Sequence, residues 1–164
     1  MARLPKRFFA GDALDVAPAL LGARWHVGGV VATITEVEAY TADDPASHSY
    51  RGQTKRNAPM FGPPGTLYVY LIYGIYHCAN IVTGSVGDGQ AVLIRGVVVD
   101  GIDPASTDGP GKLCRVLGID RSMNGGPARI DAPMAQTLAA DPTVRVGITK
   151  GADLLRRWHV SSAG

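Results

Sequence analysis

Two carboxylates stand two residues apart in the run ITEVEAY, Glu36 and Glu38. Side chains two apart on a β-strand share a face, so Ile34, Glu36, Glu38 and Tyr40 are expected on one face and Thr35, Val37 and Ala39 on the other. Paired carboxylates suit general acid–base chemistry. On periodicity alone they read first as solvated acids on an exposed strand face, and the pattern does not separate one from the other. Arg95 lies inside the apolar run AVLIRGVVV. An arginine in such a setting needs a partner, and Glu36 or Glu38 is the obvious one. The pair is either a structural ion pair at a sheet edge or an arginine that keeps a base ionised.

Four of the six tyrosines, Tyr68, Tyr70, Tyr73 and Tyr76, fall within nine residues. A hairpin turning at Gly74 would set Tyr68 opposite Asn80 and Tyr70 opposite Cys78. Tyrosine is a strong strand former, so sheet packing accounts for tyrosines along the strands. Tyr73 differs, because a hairpin tip needs no aromatic for packing; it is a candidate probe for entering another molecule. Arg51, Lys55 and Arg56 are three cations within six residues, which suits either a solvated loop or phosphate contact. Lys112 follows Gly109-Pro110-Gly111 at the opening of a short helix, where free N–H groups and a lysine suit an anion. This is not a Walker A sequence, since Ser106 takes the place of the first glycine and Leu113 follows the lysine. His48, alone in a polar loop, reads by pattern as a surface residue.

Other chemistries lack their residues. There is no HExxH, no CxxC and no dense His/Cys cluster, so neither a metal nor another cofactor is expected. No GxSxG marks a serine hydrolase. Hydrophobic residues make up 46% of the 164 and charged residues 18%, the opposite of a disordered chain. A net charge of +2 is far from a strongly basic signature, so any basic patch is local. Two cysteines, Cys78 and Cys114, make no disulfide framework, and an intracellular setting (bacterial cytoplasm or nucleoid) is expected. Arg3, Lys6 and Arg7 ahead of Phe8-Phe9 have the look of a leader, but Asp12 and Asp15 interrupt the apolar run. No stretch of 18 apolar residues suggests a membrane span.

The elements that would position these residues follow from turn and cap signals. Asp12 is a helix N-cap for a short helix through Leu14, Ala17, Leu20 and Leu21 that ends at Gly22, with a kink or a later start at Pro18. Trp25 to Tyr40 reads as a hairpin broken at Gly28-Gly29. Residues 41–65 form a long loop of the kind that is functional or disordered. Thr66 to Thr83 is a second hairpin and Gln90 to Val99 a third strand of the same sheet. Residues 100–109 are loop, and Lys112 to Leu117 is a helix ended near Gly118. Residues 119–143 are Gly/Pro-rich connections with room for one strand, and Val144, Val146 and Ile148 alternate as a last strand. The expected class is mixed α/β (α+β): a single compact domain, 1–164, with a curved, mostly antiparallel sheet, a protruding hairpin and short flanking helices.

The runs EVEAYTADDPASHSYRGQTKRNAPMFGPPGTLYVYLIYGIYHCANIV, AVLIR and GPGKL, in that order, resemble the alkyladenine (3-methyladenine) DNA glycosylases. The likeness extends from Ala19-Leu20-Leu21-Gly22 to RVGIT. The resemblance implies hydrolysis of the N-glycosidic bond of alkylated or deaminated purines in DNA, such as 3-methyladenine, 7-methylguanine and hypoxanthine. It implies that Glu38, rather than Glu36, is the general base for the attacking water, and that Arg95 helps hold that water and the glutamate. Tyr40, His48 and Tyr70 match side chains that enclose the flipped base. Asn80 matches the residue that crowds the 2-amino group of normal guanine, and Tyr73 the aromatic that enters the minor groove. It also overturns the surface reading of His48. No lysine sits among the matched catalytic positions, so no lyase step is expected. The implied partner is damaged double-stranded DNA, met by a monomer without a cofactor, with Arg51, Lys55, Arg56 and Lys112 as candidate DNA contacts.

Members resembling this chain carry a longer, often basic segment between AVLIR and GPGKL; here it is the short VVVDGIDPASTDG, with Asp100, Asp103 and Asp108. The tail LLRRWHV, with Trp158 and His159, matches only loosely. Two alternatives stand beside the glycosylase. A nucleoside N-ribohydrolase could use Glu38 but would not need Tyr73 or the three loop cations. A non-catalytic damaged-DNA binding module would not need both Glu38 and Arg95.

Overall fold

Caps and glycine turns set where each element begins and ends. The computed structural model describes residues 2–134 and 141–160. A short helix α1 (Lys6–Phe9) leads to α2 (Ala13–Ala19), capped by Asp12, whose side chain accepts the Leu14 N–H at 2.8 Å. Pro18 lies in its last turn. β1 (Arg24–Val27) and β2 (Val30–Tyr40) join through Gly28 and Gly29, both at positive φ, as a two-residue hairpin loop requires. β3 (Leu67–Ile72) and β4 (Tyr76–Thr83) form the second hairpin, and β5 (Gln90–Val98) pairs with β4. α3 (Pro110–Leu117) opens on a proline and stops at Gly118 in the left-handed region. Short strands β6 (Arg129–Asp131), β7 (Thr143–Val144) and β8 (Leu155–His159) complete the described elements.

The pairings are antiparallel, in the order β3-β4-β5-β2-β1-β6. The long β2 changes neighbour along its length. Val30–Thr33 pair with β1, whereas Glu36–Glu38 pair with β8, which in turn pairs with β7. This curls the sheet. One side of the curl is the main core, where α2 (Val16, Ala17) and α3 (Leu113, Leu117) pack against Ile34, Val37, Val92 and Ile94. The opposite side of β2, β3, β4 and β5 carries the candidate site. Among the described residues no helix is long and apolar enough to cross a membrane.

The α+β class, both hairpins and the end of α3 at Gly118 agree with the sequence-based expectations, while α3 begins two residues earlier than Lys112, at Pro110. Register in the second hairpin does too, with Tyr68 opposite Asn80 and Tyr70 opposite Cys78. One expectation needs correction. Ile34 does not share the face of Glu36, Glu38 and Tyr40; it lies in the main core with Val37 and Ala39. Both β2 and β5 are irregular there, pairing Ile34 with Val97, Glu36 with Gly96 and Val37 with Ile94. Such a bulge resets the alternation. Gly96 permits it, because a Cβ at that position would stand 2.9 Å from Thr35 Oγ1 and 3.2 Å from the Glu36 Cβ.

The expected last strand over 144–148 also fails. Pairing stops at Val144, and Gly147 takes a φ of 74° in a loop. β8 and α1 were not expected; two consecutive arginines, Arg156 and Arg157, obscure the period of β8. The long segment 41–65 has one turn of 3-10 helix, Ala58–Phe61, and is pinned by its own polar side chains. Ser49 Oγ donates to the Gly89 carbonyl at 2.7 Å, and Asn57 Nδ2 to the carbonyls of His48 and Gly52 at 2.9 and 3.0 Å.

Candidate active site

Glu38 sits in the second half of β2, where the bulge has turned its side chain away from the core. It has no accessible surface, 0%. A buried carboxylate without partners costs several kcal/mol, and three groups meet this one. The Tyr40 hydroxyl donates to Oε1 at 2.8 Å, the Val146 backbone N–H donates to Oε2 at 2.8 Å, and Arg95 Nε lies 3.8 Å from Oε2. Arg95 donates its Nε–H to Glu36 Oε2 at 3.1 Å, and the same oxygen accepts from Arg157 Nη1 at 3.0 Å. The sequence left Arg95 to choose between the two glutamates; it is hydrogen-bonded to Glu36 and stands within ion-pair distance of Glu38.

Glu38 and Arg95 border a cavity of about 210 Å³ together with Tyr40, His48, Tyr70 and Asn80. Its wall is aromatic. The His48 ring centre is 4.2 Å from that of Tyr70, and Tyr68 lies 5.4 Å from Tyr70. His48 Nδ1 hydrogen-bonds with the Tyr68 hydroxyl at 3.0 Å, which fixes the ring. Burial, with a smaller effect of Arg56, pulls His48 below its ordinary value of 6.5, so the imidazole is neutral at neutral pH. Burial also raises the Tyr70 phenol, as burial and then Glu38 raise that of Tyr40, so both stay protonated. Burial pushes the Cys78 thiol up to about 11, so it is no nucleophile. Asn80 Nδ2 donates to the Tyr68 carbonyl at 3.2 Å, which orients its amide. Among the described residues bordering this cavity, Glu38 is the one carboxylate. A neutral histidine and three tyrosines suit a flat guest, and with the Glu38 carboxylate and the Arg95 guanidinium side by side the tyrosine faces remain to attract positive charge.

Across the Tyr68–Tyr70 wall lies a larger cleft of about 470 Å³. Arg51, Arg56 and Lys150 line it, and among the described residues no carboxylate does. Lys55 is exposed on the same loop. Tyr73 stands at the tip of the β3–β4 hairpin, 88% exposed at a φ of 54°, and is the one non-glycine with positive φ among the described residues. Lys112 is on the first turn of α3, where its ammonium pairs with Asp108 at 2.9 Å and donates to the Ala105 carbonyl at 3.3 Å. That lysine is tied to the acidic segment preceding it. Glu38, Arg95, Tyr40, His48, Tyr70 and Asn80 thus surround one cavity, and the five candidate DNA contacts lie outside it.

Several supporting residues went unnoticed in the sequence. Arg145 and Asp44 form an ion pair whose two side chains are 0% exposed. Arg145 Nη2 donates to Asp44 Oδ1 at 3.0 Å while Nη1 meets Oδ2, and further donations reach the Ala39 and Gly151 carbonyls at 3.2 Å each. The guanidinium carbon lies 4.7 Å from the centre of the Tyr40 ring. This clamp fixes the residue next to Val146 and so the N–H that Glu38 receives. An arginine between two valines was the signal, akin to the apolar run that marked Arg95.

Residues 7–163 match the family described as Methylpurine-DNA glycosylase (MPG). Relatives bearing the name "Putative 3-methyladenine DNA glycosylase" include one from Methanoculleus marisnigri, 44% identical over 98% of this chain and 96% of its own length. One from Rhodopseudomonas palustris is 46% identical over 98% and 88%, and one from Rickettsia peacockii 45% identical over 96% and 90%. With likeness of this extent laid over a cavity that gathers the six matched pocket residues, the chain belongs to the methylpurine-DNA glycosylase family.

Proposed function

We propose that the protein is a monofunctional DNA glycosylase that hydrolyses the N-glycosidic bond of alkylated or deaminated purines. A base inside a duplex is out of reach, so the nucleotide must leave the stack at a cost of a few kcal/mol. Tyr73, exposed at the hairpin tip, fills the vacated space as a wedge. The base enters the aromatic cavity, where a positive charge on 3-methyladenine or 7-methylguanine is attracted to the tyrosine faces. Glu38 takes a proton from water as the water oxygen bonds to C1′. The glycosidic electrons leave with the base and neutralise its charge, so a cationic base needs no acid. The carboxylate also favours the positive sugar that develops, as in glycoside hydrolysis.

The observation that carries this reading is a buried carboxylate, held by Tyr40 and Val146 with an arginine beside it, at the edge of an aromatic cavity. Glu38 is covered in the free protein, so the attacking water reaches it only as the entering nucleotide shifts one of the covering groups. Base release from methylated duplex DNA by the wild type, and not by Glu38→Gln, tests the reading.

A further inference from the structure

We propose that Glu36 is a positioning residue for the same reaction: held by Arg157, it keeps the Arg95 guanidinium off Glu38 and leaves its outer nitrogens for the cavity. This rests on the glycosylase reading above, in which Glu36 itself touches neither substrate nor water.

The geometry is that of one arginine between two carboxylates. Arg95 Nε is hydrogen-bonded to Glu36 Oε2 at 3.1 Å and stands 3.8 Å from Glu38 Oε2. Among the described residues no protein acceptor meets its two Nη groups, and the side chain borders the catalytic cavity. Without Glu36, the nearest anion to Arg95 is Glu38. Arginine and carboxylate prefer the two-pronged pair, which is stronger than a single contact. Such a pair would fill the acceptor positions of Glu38 that the water needs. Glu36 therefore competes for Arg95 and holds it at one remove from the base.

Arg157 makes Glu36 a fixed competitor. Its Nη1 donates to Glu36 Oε2 at 3.0 Å, and its Nε donates to the Val144 carbonyl at 2.8 Å. The second bond fastens the strand end two residues before Val146. The bulge is what makes this possible, since it turns Glu36 to the same side as Glu38 while Ile34 stays in the core.

The test is single-turnover base release from methylated duplex, with lesion-duplex affinity and thermal melting measured on the same samples. The variants are Glu36→Ala, Glu36→Gln, Arg95→Ala and the double variant Glu36→Ala/Arg95→Ala. A small misplacement near the reacting atoms is costly, so Glu36→Ala is expected to slow release by about 10-fold or more while affinity changes by about twofold or less. Glu36→Gln, which still accepts the Nε–H, recovers most of the rate. In the Arg95→Ala background, Glu36→Ala adds no further loss, because the two act as one unit. Wild-type rates in Glu36→Ala overturn the proposal, as do losses that simply add to those of Arg95→Ala or a loss confined to affinity or melting. Absence of release by the wild type is a separate result; it overturns the glycosylase reading and removes the reaction that Glu36 would serve.

Discussion

The backbone N–H of Val146 reaches the carboxylate of Glu38 at 2.8 Å across 108 residues of chain. The residue that delivers it belongs to no strand. Its place is set by its neighbour Arg145, whose guanidinium is locked on Asp44 with both side chains fully buried. The environment of the proposed base therefore depends on an ion pair that does not itself line the cavity, although its guanidinium lies 4.7 Å from the centre of the Tyr40 ring that does.

Removing one partner of a buried pair leaves an uncompensated charge, at a cost of about 3–5 kcal/mol. Asp44→Ala and Arg145→Ala are each expected to lose stability in that range by urea denaturation, and to lose base release as Val146 is untethered. Arg145→Lys should not restore either property, because an ammonium cannot make the paired contact. A wild-type denaturation midpoint in Asp44→Ala would contradict this.

Tyr73 combines a strained backbone with an exposed ring. A left-handed backbone costs a non-glycine residue roughly 1–2 kcal/mol, and an 88% exposed side chain gains no packing in return. Tyr73→Gly is expected to hold or raise the melting temperature while it lowers release from duplex more than from single-stranded substrate. A fall in both stability and single-strand activity would show that the ring packs where it is.

His48 gives a pH dependence whose sign follows from its burial. Its folded value is depressed below the ordinary 6.5, so in the window just below 6.5 the unfolded chain binds more protons than the folded one. Stability then rises with pH there; it is full above 6.5 and is lost as pH falls through the folded value. Denaturation of the wild type at about pH 7.5 and about pH 5.5 should show this loss, and His48→Gln a smaller one. Equal losses in the two proteins would remove His48 as a source.

Salt dependence separates the cations outside the cavity. Each phosphate contact contributes about 0.9 to the slope of log affinity against log salt. Arg51→Ala/Arg56→Ala is expected to flatten the slope by about 2. Lys112→Ala should leave it unchanged, since that ammonium is paired with Asp108. A change with Lys112 alone would reverse the assignment.

Local signals read well in this chain. Gly74 and a period of two were enough for the register that sets Tyr68 against Asn80, because a hairpin is decided by its own turn. Arg95 could be marked as needing a partner, since that follows from its neighbours in sequence. What separates Glu38 from Glu36 is not local. Both glutamates share a face of β2, but the Val146 N–H comes to Glu38 alone, and Arg157 comes to Glu36. Those contacts arise where β2 gives up β1 for β8, a strand whose period two arginines hide. The alternation of Val144, Val146 and Ile148 misleads for a related reason: the segment bends as a loop to aim one N–H, with Gly147 at the bend.

The central claim is that Glu38 is the base for hydrolysis at C1′, and base release from methylated duplex by wild type and Glu38→Gln tests it most directly. The account predicts free 3-methyladenine and alkali-labile abasic sites with the wild type only, while Glu38→Gln, which keeps the shape of the side chain, still binds lesion duplex. Equal release by the two proteins would take Glu38 out of the mechanism.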